Sequence, residues 1–166
     1  MIDGLEIEFI LCPGTEASSE FMFYLPQLKA FCQSELICHT LHNLYTLSGS
    51  PARSGLLWSK YIDEALILYG NDMEVAFGCH HWPTWGNPAI VDLFEKQRDI
   101  YRYIHDQTLR LANNGYTMNE IAEMLTLPRS LSHCFHNRGT FGTVSQNVKA
   151  QYQFYFGYFD GNPCNL

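Results

Sequence analysis

Among the residues of metal-binding type in the first half of this 166-residue sequence, three share a placement that suits a divalent metal site: Glu16, Glu35 and His80. Glu16 follows the turn Pro13-Gly14-Thr15, Glu35 follows Phe31-Cys32-Gln33-Ser34, and His80 follows Phe77-Gly78-Cys79. Each ends a predicted strand, a place from which a side chain can reach a site shared by several strand mouths. Carboxylate and imidazole donors together suit Zn²⁺ or a similar ion. Taken singly, Glu16 and Glu35 read better as surface carboxylates on turns, and His80 reads equally well as a core histidine stacked on Trp82. Strand order, which spacing leaves open, decides whether the three converge. His39 with His42, and His133 with His136, have the i, i+3 spacing that places two rings on one helix face. Two ligands make no site, so capping or surface roles are expected for both pairs.

The elements that must position these groups fall into two textures. Leu5 to Leu11, Phe21 to Leu25, Leu28 to Cys32 and Glu74 to Cys79 read as strands, bounded by Pro- and Gly-containing turns. Leu56 to Tyr69 puts Trp58, Ile62, Ala65 and Tyr69 on one helical face. The order is therefore β, β, β, α, β up to the turn around Trp82-Pro83-Thr84-Trp85. From residue 87 onward the pattern is helical. Asn87 is placed to cap a helix with Pro88 at its first position, running to Asn113. Thr117 with Glu120 forms a capping-box pattern for a helix to Leu125. Further helices are predicted over Pro128 to His136 and Val144 to Tyr158. The fold class is α+β, with a mixed part over 1–86 and an all-α part over 87–166.

Hydrophobic residues make up 46% and aromatics 14%, which excludes a disordered chain. No apolar run reaches ~18 residues, so no membrane span is expected. The first residues are acidic rather than basic, so no signal peptide is expected, and nothing further fixes localisation. The net charge of −7 is confined to residues 1–86, which hold 3 Lys/Arg and 10 Asp/Glu against 7 and 7 in the remainder. Such a balance argues against binding a phosphate backbone. Met118 to His136 can be read as a helix-turn-helix, but Thr117 to Arg138 carries two acids and two bases and no basic face. A packing role is expected there, and nucleic acid is not expected as a partner. The six cysteines form no C-x-x-C pair and are expected to be buried free thiols.

Several longer motifs resemble the alkyl sulfatases of the metallo-β-lactamase superfamily. They are Pro13-Gly14-Thr15-Glu16-Ala17, His39-Thr40-Leu41-His42-Asn43-Leu44 and His80-His81-Trp82-Pro83-Thr84-Trp85-Gly86, followed by Gln97-Arg98-Asp99, the stretch Ile104 to Asn113, and Phe159-Asp160-Gly161-Asn162-Pro163. The resemblance implies the C-terminal part of a metallo-β-lactamase-like αββα catalytic domain over 1–86, then a helical dimerisation domain over 87–166. Full-length members hold two zinc ions and split alkyl sulfates such as dodecyl sulfate into alcohol and sulfate. Carried over, Glu16 matches a carboxylate ligand of one zinc, Glu35 the carboxylate bridging both, His80 a ligand of the second, and Asn43 a residue that contacts the sulfate.

The sequence departs from the family pattern at four points. It contains no His-x-His-x-Asp-His, the motif that supplies the other zinc ligands and whose segment would lie upstream of Met1. Ser48 stands where an arginine grips the sulfate. Phe141 stands where a tyrosine or histidine has been suggested as proton donor. Gln146 replaces a frequent histidine before Asn147. The expectation is a fragment or degenerate alkyl sulfatase with an incomplete zinc site, inactive alone, with no residue named as catalytic. The alternative is a non-enzymatic dimerisation or interaction module. The expected partners are a second copy through the helical half, where the 88–113 helix carries Phe94, Ile100, Tyr101, Ile104, Leu109 and Leu111, and a separate chain bringing the missing ligand segment.

Overall fold

The computed structural model describes residues 2–46 and 50–157. Ser48, Cys164 and the Phe159 to Pro163 motif lie outside the described residues. Five strands form one sheet in the order β1-β2-β3-β4-β5: β1 Glu8–Leu11, β2 Phe21–Leu25, β3 Ala30–Cys32, β4 Val75–Phe77 and β5 Thr84–Trp85. All neighbours are antiparallel except β3 and β4, which run parallel with Cys32 opposite Phe77. Parallel neighbours need a crossover, and here it is helix α1, Gly55–Tyr69. Its start is set by Ser54, whose side chain accepts from Leu57 N. Four helices follow: α2 Asn87–Asn113, α3 Met118–Met124, α4 Arg129–Ser132 and α5 Val144–Phe156. The expected α+β class holds.

One core runs across both textures. Trp58 of α1 packs on Tyr101 of α2 with ring centroids 5.2 Å apart, and Phe31 of β3 packs on Phe94 at 5.6 Å. The apolar stripe of α2 is thus spent inside the chain. Phe94, Ile100, Tyr101, Ile104 and Leu111 are all buried, so the expectation that this helix has too much apolar surface for one chain is corrected. Exposed aromatics lie elsewhere, among them Phe154 and Phe156 near the end of α5, Trp82 and Trp85 around β5, and Phe9 and Phe21 on the sheet. Phe9, Phe21 and Phe23 cluster on that sheet face in T-shaped and tilted contacts, with centroids 5.4 to 6.4 Å apart.

Other local readings change. Asn87 does not cap α2: Gly86 holds the cap position, and the Asn87 carboxamide donates to Gly70 O at 2.7 Å and Met73 O at 3.0 Å. The Trp-Pro-x-Trp segment is not only a turn, because Thr84–Trp85 pairs with β4 as an edge strand. The 128–136 helix is shorter, ending at Ser132 before a separate 3-10 turn Phe135–Asn137. The Thr117 and Glu120 capping box is present. The five described cysteines are free, but only Cys12 and Cys38 are buried; Cys32 and Cys134 are partly buried and Cys79 is exposed.

Candidate metal centre

The parallel β3–β4 pair brings Glu35 and His80 together. Each lies three residues beyond a member of the Cys32–Phe77 pair. The parallel ladder continues past the strands, with Gln33 N donating to Phe77 O at 2.8 Å and Cys79 N to Ser34 O at 3.1 Å. Gly78 permits this approach, since a Cβ there would overlap Ser34 O. His80 Nε2 ends 3.6 Å from Glu35 Oε1. His81 takes a left-handed φ of 67°, so the chain turns sharply just after His80 and sends Trp82 onto His39, with ring centroids 4.6 Å apart. His80 is therefore not the histidine stacked on Trp82.

A third donor, His42, was not expected here. Its spacing from His39 suggested a helix, but residues 36–44 form a buried irregular segment. The His42 side chain is only 1% exposed, and its Nε2 lies 3.4 Å from Glu35 Oε2. Ligand atoms of Glu35, His42 and His80 all fall within 4.8 Å of one another. Among the described residues this is the one such cluster of three. His42 Nδ1 sits 2.9 Å from Asn43 O, and a carbonyl only accepts, so Nδ1 carries the hydrogen. Nε2 then presents a bare lone pair, which is buried and has no hydrogen-bond partner. Burial lowers the His42 pKa, against the raising effect of the Asn43 carbonyl, and so favours the neutral, ligating form. A fixed tautomer with Nδ1–H on a backbone carbonyl is the usual support of a metal-binding imidazole. An unpaired buried nitrogen costs roughly 1–3 kcal/mol, and a cation between it and Glu35 would remove that cost. The residues present therefore fit a zinc-like ion.

Glu16 lies to one side of the three. Arg53 Nη2 approaches Glu16 Oε2 to 2.5 Å, a charge contact without hydrogen-bond alignment. Burial raises the Glu16 pKa, with Arg53 opposing and Glu35 adding to the rise. Arg53 also donates from Nη1 to Asn43 O at 3.1 Å and Asn43 Oδ1 at 3.0 Å. Sequence reasoning missed Arg53; the signal was its isolation, as one of three cations in an acidic half. Phe141 covers the cluster, with its ring 4.7 Å from His42 and 5.6 Å from His80. A cleft of about 220 Å³ opens beside it, lined by Cys38, Thr40, His80, His81, Thr140 and Phe141. His133 and His136 do not pair with each other; His136 Nδ1 meets His39 Nδ1 at 3.2 Å.

Comparisons with known proteins show what the chain as a whole resembles. Residues 117–166 match the family described as alkyl sulfatase dimerisation. A linear primary-alkylsulfatase from Pseudomonas sp. is 51% identical over 100% of this chain and 25% of its own length. An alkyl/aryl-sulfatase from Saccharomyces cerevisiae is 50% identical over 99% of this chain and 26% of its own. The solved structure of a stereoselective inverting sec-alkylsulfatase from Pseudomonas sp. superposes with TM-score 0.94 at 38% identity, covering 99% of this chain and 26% of that one. A metallo-β-lactamase family protein from Thermus thermophilus shares the fold at TM-score 0.55 and 14% identity. The chain spans about a quarter of the length of the alkylsulfatases it matches. By sequence along its whole length and by fold, this chain is a relative of the alkylsulfatases.

Proposed function

We propose that these 166 residues carry one wall of a dizinc site for alkyl sulfate hydrolysis, and that alone they bind one divalent ion weakly and turn nothing over. The observation that carries this reading is the buried, unpartnered Nε2 of His42 facing Glu35 and His80. Glu35, His80 and His42 would hold one zinc, and Glu16 would serve a second. When bound, zinc supplies Lewis acidity and a water of lowered pKa. The protein's own residues then orient and exclude. Asn43 and the Arg53 guanidinium, hydrogen-bonded to each other beside His42, would meet a sulfate oxygen, and Phe141 covers His42 while His80 stays partly open to water. Phe141 has no proton to give to a departing alkoxide, which removes general-acid help of about 10²–10⁴-fold.

The sequence holds no His-x-His-x-Asp-His, so further ligands would come from a segment outside it, in the same chain or a separate one. The exposed Phe9, Leu11 and Phe21 face of the sheet is where the remainder of an αββα domain would pack. The dimerisation match and the exposed Phe154 and Phe156 support self-association through the helical half, and a purely non-enzymatic interaction module is the second reading. The test is sulfate release from dodecyl sulfate by the purified chain with added Zn²⁺, beside a Glu35→Gln control. Release no greater than the control, together with weak zinc binding lost in the control, is expected. Turnover above it would show that the site is complete enough to work.

A further inference from the structure

The groups His42, Asn43 and Arg53 do not stand on strands. They lie on the two segments 42–46 and 50–53, which meet at a neck closed by Arg53 N donating to Leu44 O at 2.8 Å. That neck is buried, and two carboxamides from a distant helix hold it. Asn147 of α5 donates from Nδ2 to His42 O at 2.8 Å and accepts Leu44 N on Oδ1 at 2.9 Å. One turn later, Gln151 donates from Nε2 to Arg53 O at 2.8 Å and accepts Gly55 N on Oε1 at 2.8 Å. Both side chains are 0% exposed. Each amide therefore grips one N–H and one C=O on either side of a single residue, Asn43 in one case and Ser54 in the other. Water cannot replace these bonds in the interior, so the neck has its geometry only while α5 is in place. The same region is pressed from outside by Gly142, whose N donates to Leu41 O at 2.9 Å and where a Cβ would overlap the His42–Asn43 backbone.

We propose that Asn147 and Gln151 are positioning residues for the metal centre: they set where His42, Asn43 and Arg53 point. The helical region that matches a dimerisation family is then a structural half of the site, and not only a contact surface. This rests on the reading of Glu35, His42 and His80 as metal ligands. Loss of support behind a ligand typically costs 10–100-fold in metal affinity. The helix would thus transmit any disturbance at its exposed end to the ligands through two amides one turn apart.

The experiment compares Asn147→Leu and Gln151→Met, which remove both bonds at near-constant volume, with Val148→Ala. Val148 is buried on the same helix and apolar, so its truncation controls for general destabilisation. Asn147→Asp keeps the acceptor for Leu44 N and loses the donor to His42 O, and serves if the leucine variant does not fold. Two quantities are read in each: the imidazole ¹⁵N shifts of His42, and Zn²⁺ affinity by competition with a chelator. The amide variants should change the His42 tautomer signals and weaken zinc about tenfold or more, while Val148→Ala at similar global stability changes neither. Amide variants whose His42 signals match those of Val148→Ala would overturn the proposal. If the wild-type chain binds no zinc at all, the metal reading fails, and the His42 signals alone still decide the positioning role.

Discussion

Replacing His42 by Phe should separate stability from metal binding. The imidazole makes one protein hydrogen bond, Nδ1 to Asn43 O at 2.9 Å, worth roughly 0.5–1.5 kcal/mol net. The substitution leaves that carbonyl with Arg53 Nη1 as its remaining partner, at 3.1 Å. It also removes the buried, unsatisfied Nε2, which relieves roughly 1–3 kcal/mol. The ring stays in an aromatic setting, between Trp58 at 5.4 Å and Phe141 at 4.7 Å. The metal-free variant should therefore range from about 0.5 kcal/mol less stable to about 2.5 kcal/mol more stable on these terms. Zinc binding should move the other way. Four-ligand structural sites bind with about 10–16 kcal/mol, so one ligand is worth roughly 3 kcal/mol, or at least a hundredfold in affinity. Urea unfolding without metal and chelator competition with it measure the two quantities. A variant that loses more than 2 kcal/mol while keeping its zinc affinity would refute the reasoning, and would make His42 a structural residue.

Trp58→Phe removes the indole donor to Leu36 O, at 2.7 Å beside Glu35, so the orphaned carbonyl should cost about 1–3 kcal/mol by urea unfolding; no change would mean that the bond does not help to hold the Glu35 turn. Burial lowers the pKa values of His39 and His136 below the usual 6.5, so the unfolded chain takes up their protons first. That part of the stability is complete above about pH 6.5 and declines as the pH falls below it, with the raised Glu16 and Glu20 acting in the opposite sense nearer pH 4.5. The urea midpoint should drop between pH 7 and 5.5, and a flat midpoint would count against buried neutral imidazoles. The chain should sediment as a dimer at micromolar concentration, and a Phe154→Glu, Phe156→Glu double variant as a monomer; a variant that stays dimeric would move the interface away from the end of α5.

The parts of this structure that were legible from the sequence are those set by local pattern. The run Val75–Phe77 and the Phe31 strand announced themselves by composition, but their parallel pairing, which brings Glu35 and His80 to the same end of the sheet, was not legible. The α2 stripe was equally plain, because Ile90, Phe94, Tyr101 and Ile104 keep helical spacing. What that stripe meets was not legible: it packs on Trp58 and Phe31 of the same chain, not on a second copy. His42 was hidden for the same reason. Its place depends on Gly142 and Asn147, about a hundred residues away, which pin a segment that belongs to no helix or strand. Spacing reports neighbours along an element, and His42 has none. Arg53 likewise gained its role only when its bond to Leu44 brought it back to Asn43 and Glu16.

The most direct test of the metal reading is a count of zinc bound per chain by equilibrium dialysis with elemental analysis. It compares wild type with Glu35→Gln and His80→Ala under the same free Zn²⁺. One weakly held ion per wild-type chain, lost in both variants, is the predicted result. Equal zinc in all three proteins would place any binding outside Glu35, His42 and His80 and contradict the account.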